Sequence, residues 1–292
     1  MQNQVKKAIC FGEILWDHLP SGRLAGGAPM NVAYHLRKLG VDASLISRVG
    51  DDEAGKELID FISSIKIPAE NIQIDLDQST SEVIAELKEN NEMVYTITYP
   101  TAWDFIAWQK DFKEELSHAD AFIFGSLSAR NEVSKTTLLR LLEHAKFKVF
   151  DVNLRAPYDD RNTISTLLAK ADFVKLNENE IVILGDWFTT AKAEKDVVAA
   201  LMDRFELSEI LITKGASGGT YYDVNQRINY LAEKVAVVDT VGSGDSFLAA
   251  FLFKKLAGEQ ITGCLNFATK LAGFITSQKG ACPSYDAAGL GF

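Results

Sequence analysis

Cysteine is scarce in this chain of 292 residues: Cys10, Cys264 and Cys282 stand far apart, with no motif spacing. So few, and an odd number, argue against a disulfide framework and for a reducing, cytoplasmic setting. No CxxC or HExxH occurs, and histidine appears four times, so no metal-ligand cluster can be read. Long apolar runs are missing as well. The longest, residues 247–253, falls far short of the roughly 20 residues a membrane-spanning helix needs. Lys6 and Lys7 precede the apolar residues 8–11, but Glu13 and Asp17 follow at once, which excludes a secretory apolar core there. Basic residues are in deficit, 30 against 40 acidic, and the net charge of −10 is a poor footprint for nucleic acid or anionic lipid. A phosphate ligand would have to be held by local devices against that field. There is no linker, low-complexity tract or internal repeat. The 47% apolar content suffices for a core, since a chain this long buries about three-quarters of its unfolded surface.

What is present is an alternation of two periodicities. Residues 8–11 and 14–15 read as a first strand, and 28–39 as a helix with Pro29 in its first turn and Gly40 at its end. A strand over 43–49 and a helix over 56–65 follow. Short apolar strands are predicted at 121–124, 148–152, 173–176 and 209–213, with helices at 135–145, 163–171 and 196–205 between them. Helices over 244–256 and 260–277 finish the chain. Interleaving of this kind predicts a mostly parallel sheet flanked by helices, an α/β fold. Residues 81–87 and 93–99 break the pattern: two strand-like runs joined by a polar turn at 88–92, with no helix beside them. They read as a small projecting sheet, either a lid or a plain edge hairpin.

The chemistry concentrates at the ends of these elements. In VDTVGSGDSF, residues 238–247, a strand ending at 237–238 should turn through Gly242 and Gly244 into a helix. Small residues there leave backbone N–H groups and the helix dipole free to hold an anion. Asp245 in the first helical turn is an odd neighbour for an anion unless it takes a proton from a hydroxyl attacking a phosphoryl group. The plainer alternative is that it caps the helix, a task Ser243 could also fill. Thr213-Lys214-Gly215-Ala216-Ser217-Gly218-Gly219 follows a strand, as a ligand-binding glycine loop or as a hairpin turn into residues 220–223. Asn177 and Glu180, after Lys175, share a face at a helix start. They either organise magnesium-bound water or are ordinary helix-start polar groups. Asp151, Asn153 and Arg155 alternate to one side past another strand. Asp17 and Asn31, beside Gly26 and Gly27, suit the hydroxyls of a sugar, or turn and cap chemistry.

These stretches, in this order, resemble the ribokinase or PfkB family of carbohydrate kinases along essentially the whole chain. DTVGSGD at 239–245 is close to the family's second signature, with Ser243 where alanine is commoner. The G-G-A-P-x-N block at 26–31, DVNLR at 151–155 and KLNENE at 175–180 look most like the fructokinase branch. The resemblance implies one ribokinase-like domain over 1–292, with lid segments at about 15–25 and 80–101. It implies that Asp245 is the catalytic base and that Gly242, Ser243 and Gly244 form the anion hole. Asp17, Gly26, Gly27, Asn31, Asn153 and Arg155 would face the sugar. Lys175, Asn177, Glu180, Thr213, Gly215 and Gly218 would serve ATP, with magnesium water-bound at Asn177 and Glu180. Asp239, Gly280 and Ser284 sit where many members bind potassium. A homodimer joined through the lid is expected from the apolar residues Val94, Tyr95, Ile97 and Tyr99. Two departures stand out: Ala268-Thr269 replaces a common Ala-Asn, and no arginine follows the second lid strand at 99–101. Ribose, 2-keto-3-deoxygluconate and nucleosides stay open as substrates. The rivals from other classes are a non-catalytic sensor and a nicotinamide-dependent oxidoreductase, though no dinucleotide glycine fingerprint follows the first strand.

Overall fold

Runs that are apolar on both faces must be covered on both faces, and here they lie side by side between two layers of helices. The computed structural model describes residues 5–19, 22–87 and 93–287. In chain order its strands are β1 (Lys7–Phe11), β2 (Leu15–Leu19), β3 (Gly22–Gly26), β4 (Asp42–Gly50), β5 (Ile72–Asp75), β6 (Ser81–Leu87), β7 (Met93–Ile97), β8 (Ala121–Gly125), β9 (Lys148–Asp151), β10 (Phe173–Asn177), β11 (Glu209–Thr213), β12 (Gly219–Asp223) and β13 (Arg227–Tyr230). Its helices are α1 (Ala28–Lys38), α2 (Glu53–Ser64), α3 (Phe112–His118), α4 (Glu132–Leu142), α5 (Arg161–Leu168), α6 (Glu178–Phe188), α7 (Glu194–Phe205), α8 (Ser243–Leu256) and α9 (Ile261–Thr276). The large sheet runs β13-β12-β11-β10-β9-β8-β1-β4-β5, parallel except for the β11-β12-β13 edge. No described helix is long and apolar enough to cross a membrane.

Strand alternation divides the core in two. Ala8 and Cys10 of β1 join the cluster under α1, α8 and α9, while Ile9 and Phe11 join the one under α4 to α7. Stacked rings cement the second cluster: Phe124 and Phe150 lie 5.0 Å apart at 5° across β8 and β9. From β1 the chain first moves out to β4 and β5, then returns to β8 on the other side of β1. That reversal opens a crevice at the carboxyl ends of β1 and β8, where such sheets bind ligands.

Three strand expectations need correction. Residues 8–15 are not one strand: the chain turns at Gly12, and 15–19 pairs in a second sheet. The β3 and β5 strands were not anticipated, because β3 is rich in glycine and polar residues and β5 alternates only briefly. The expected strand ending at 237–238 does not form. Val237 and Val238 stay exposed, and the amides of Val238 and Asp239 donate instead to the Thr276 carbonyl at the end of α9.

The small sheet has the order β3-β2-β6-β7, so the 81–97 hairpin is neither isolated nor an edge of the main sheet. The polar turn 88–92 lies outside the described residues. One buried arginine fixes the sheet's root. Arg130 donates from Nε and Nη2 to the Asp104 carboxylate, at 2.7 and 2.8 Å, and from Nη2 to the Thr98 carbonyl just past β7, at 2.7 Å. The rings of Trp103, Tyr158 and Tyr99 surround the guanidinium at 3.9, 4.6 and 5.0 Å.

Candidate active site

The site begins where residues 239–242 turn into α8. Gly242 takes φ 74° at the N-cap, and a side chain there would strike Ala281. No side chain caps this helix. Ser243, which could have capped it, instead accepts a hydrogen bond from Thr276 Oγ1 at 3.1 Å. First-turn amides are thus left without side-chain partners at the positive end of the helix dipole, the requirement for holding an anion. Asp239 braces this turn. Its two carboxylate oxygens accept from the amides of Val241 and Gly280, each at 3.0 Å.

Asp245 is the third residue of α8. Its Oδ2 accepts from Asn31 Nδ2 at 2.8 Å, which joins α8 to the first turn of α1. Burial pushes its pKa up to about 6, and the nearby Asp151 adds to the rise; Lys175, Asn31 and Arg155 oppose it but do not win. A carboxylate with this affinity is charged at neutral pH yet basic enough to accept a hydroxyl proton.

The next strands bring charge to the same place. The β9-β10 register sets Lys175 directly beside Asp151, and its ammonium donates to both carboxylate oxygens at 2.8 Å, in a nearly buried pair. A side chain on Gly244 would touch Lys175 Nζ, so the cation sits against the first turn of α8. Asn177 and Glu180 form a capping box on α6. Asn177 Oδ1 accepts from the amides of Asn179 and Glu180, and Glu180 accepts from the amides of Asn177 and Leu154. Burial raises the pKa of Glu180. With each oxygen already taking an amide, these two groups fit contact with a metal through water rather than direct ligation. Past β9, Asn153 adopts φ 41°, and the exposed Arg155 follows it.

On the other side, Asp17 rises from β2, and burial lifts its pKa to about 6 against the pull of Arg155. Gly26 pairs with Leu15 across β2 and β3, and a side chain on it would collide with the Asp17 carboxylate. Gly27, at φ 114°, passes so close to the Glu13 carbonyl that only glycine fits. Glu13 is buried; its Oε1 accepts from the Ala28 amide at 3.3 Å, and burial pushes its pKa up to about 7.

Beyond the anion turn lies a cavity of about 700 Å³ with mostly apolar walls. Its walls include Ser243 and Gly244 together with Thr213, Gly215 and Gly218. An apolar slot opening onto an anion turn has the dimensions and chemistry of a nucleotide site. The profile of the pfkB family of carbohydrate kinases matches residues 22–288. The chain belongs to that family. It is 30% identical over 263 residues to a fructokinase of Klebsiella pneumoniae, covering 84% of this chain and 83% of that one. It is 28% identical over 305 residues to probable fructokinase-5 of Arabidopsis thaliana, covering 94% and 93%. The crystal structure of a fructokinase double mutant from Vibrio cholerae O395, with fructose, ADP and potassium, has the same fold: TM-score 0.84 at 20% identity, covering 99% and 98%.

In this pfkB kinase Asn31 meets Asp245 and Lys175 meets the first turn of α8. Thr213, Gly215 and Gly218 make a hairpin turn into β12 and also line the cavity. Gly280 lies beside Asp239, but Ser284 is exposed further along and bonds to neither. Sequence reasoning missed Tyr230 and Val235 in the cavity wall, and the buried Glu13 near Asp245 on the Asp17 side; Thr269, also in the wall, stood out only as a departure from a common Ala-Asn. Of these, Val235 lies in the apolar run read as a strand ending at 237–238. The side chains of Val94 and Tyr95 lie outside the described residues.

Proposed function

We propose that this carbohydrate kinase transfers the γ-phosphoryl group of ATP to a primary hydroxyl of D-fructose. The observation that carries the reaction is the placement of Asp245. It is held by Asn31 on the sugar side and flanked by uncapped amides on the phosphate side. Asp17, Gly26, Gly27, Asn31, Asn153 and Arg155 frame the acceptor. The cavity between Thr213 and Thr269 takes the adenosine portion. Asp245 accepts the hydroxyl proton as the sugar oxygen forms its bond to the γ-phosphorus, and the bond from that phosphorus to the bridging oxygen of ADP breaks. The amides of Gly244 and Asp245, with Lys175 beside them, stabilise charge on the transferring group. Magnesium, when bound with ATP, neutralises phosphate charge, with Asn177 and Glu180 holding its water. Potassium near Asp239 and Gly280 would stiffen the turn that shapes the anion hole. Closure of the small sheet over the sugar excludes water, and the same sheet is where a second copy would join to make a dimer. Three free thiols suit a reducing cytoplasm.

Fructose is favoured because the curated relatives named above are fructokinases and the Vibrio cholerae structure holds fructose. A sugar acid such as 2-keto-3-deoxygluconate is the second reading, because the exposed Arg155 guanidinium is in no described ion pair near Asp17 and Asp245. A coupled ADP-release assay decides between them, run over fructose, ribose, 2-keto-3-deoxygluconate, fructose 6-phosphate and a purine nucleoside. Fructose is expected to give the highest kcat/KM, and activity should vanish in excess chelator and fall without potassium. Another acceptor winning by about tenfold or more would remove the fructokinase assignment, since one well-matched hydrogen-bonding group alone is worth that much.

A further inference from the structure

His35 has no part in the chemistry above, yet it is wholly buried and both its ring nitrogens are engaged. Nε2 lies 2.9 Å from the Ala281 carbonyl and Nδ1 lies 2.9 Å from the Tyr285 hydroxyl. A carbonyl can only accept, so Nε2 carries the hydrogen; Nδ1 is then the acceptor and Tyr285 the donor. Burial, the largest influence, lowers the pKa of His35 to about 4 and keeps this neutral form throughout the working pH range.

The same helix makes two more bonds to the same segment. Tyr34 Oη donates to the Pro283 carbonyl at 2.5 Å, and Cys282 Sγ donates to Asn31 Oδ1 at 3.3 Å. Residues 281–286 form no helix or strand, so their position depends on such side-chain bonds. Ala281 in turn packs on Gly242, the N-cap of α8, and Gly280 is tied to Asp239. Asn31, on the helix that carries Tyr34 and His35, holds Asp245.

We propose that His35 is a positioning residue: through Ala281 and Tyr285 it fixes the segment that backs the anion turn, in register with the helix that holds the catalytic carboxylate. One rigid helix then sets both the base, through Asn31, and the wall behind the phosphate cradle, through His35. A displacement of about 1 Å between these two would cost on the order of a hundredfold in rate. The inference rests on the kinase reading of the site.

The test uses His35→Leu and His35→Gln. Leucine removes both bonds; the glutamine amide can place its N–H near the lost Nε2–H and restore the bond to Ala281. Two readouts are taken on folded protein: kcat and sugar KM from ADP release, and the rate at which Cys282 reacts with a thiol reagent. Cys10 and Cys264 are buried, and Cys282 is half-buried while its segment stays docked. His35→Leu is expected to lower kcat by about tenfold or more, with sugar KM changing less than about threefold, and to label faster at Cys282. His35→Gln is expected to recover most of both. If leucine fails to fold, Tyr285→Phe, which leaves Nδ1 without its donor, is expected to show the same effects in smaller degree. Wild-type kcat and labelling in folded His35→Leu, or in Tyr285→Phe where leucine fails, would overturn the proposal, as would a glutamine variant no better than leucine. Wild-type protein inactive on every sugar would instead strike the kinase reading, while the labelling rates would still report on the segment.

Discussion

Asp245→Asn is expected to lower kcat by about 10² to 10⁴-fold while leaving the fold and ADP binding intact. The amide keeps the size of the carboxyl group and its contact with Asn31 but cannot take a proton from the attacking hydroxyl. Single-turnover measurement with saturating ATP and sugar isolates the chemical step, and calorimetric titration with ADP reports the nucleotide site. Turnover within about fivefold of wild type would remove Asp245 from the role of base, because general-base catalysis is worth far more. The same carboxyl sets a pH dependence. With its pKa near 6, it is charged above that value and protonated below. Activity as kcat/KM should therefore rise with pH through about 6 and then level off. Burial drives this upward shift, and Lys175 limits it. Replacing Lys175 with methionine would remove the nearest cation and move the acid limb to higher pH. A profile flat through pH 5 to 8 would contradict the assignment.

The largest expected effect on stability is at Arg130. Its guanidinium and the Asp104 carboxylate are both fully buried, so neither can turn to water when its partner is lost. Arg130→Met would leave the buried Asp104 carboxylate, among the described residues, with only the amide and hydroxyl of Thr101 as partners, and about 3–5 kcal/mol of stability should disappear. Urea denaturation of the two proteins measures the difference. Adding Asp104→Asn to the same variant removes the stranded charge while keeping an acceptor for Thr101, and should recover a good part of the loss. A loss below about 1 kcal/mol in the single variant would mean that the ring cage, not the ion pair, anchors the small sheet.

The comparison of sequence with structure divides along the range of the forces involved. Period-two runs with apolar residues on both faces, and helical stripes such as Val198, Leu201, Met202 and Phe205, determined the parallel sheet and its helical layers, because burial depends on local pattern. Gly242 likewise marked the turn into α8, since few residues other than glycine tolerate φ 74°. Tertiary structure decided the rest. Whether residues 15–19 continue β1 or cross to another sheet depends on a partner, β6, more than 60 residues away. Val237 and Val238 have strand-like side chains, yet the Val238 amide bonds to the Thr276 carbonyl at the end of α9 and Val237 lines the cavity. The Lys175–Asp151 pair and the capping box of Asn177 and Glu180 both lie in stretches singled out from sequence. Only the register of β9 against β10 brought the first pair together, and only the turn after β9 delivered the Leu154 amide to Glu180. The bonds from His35 to Ala281 and Tyr285 span 246 and 250 positions. Local pattern carries no trace of contacts at that separation, because they form only once the layers have packed.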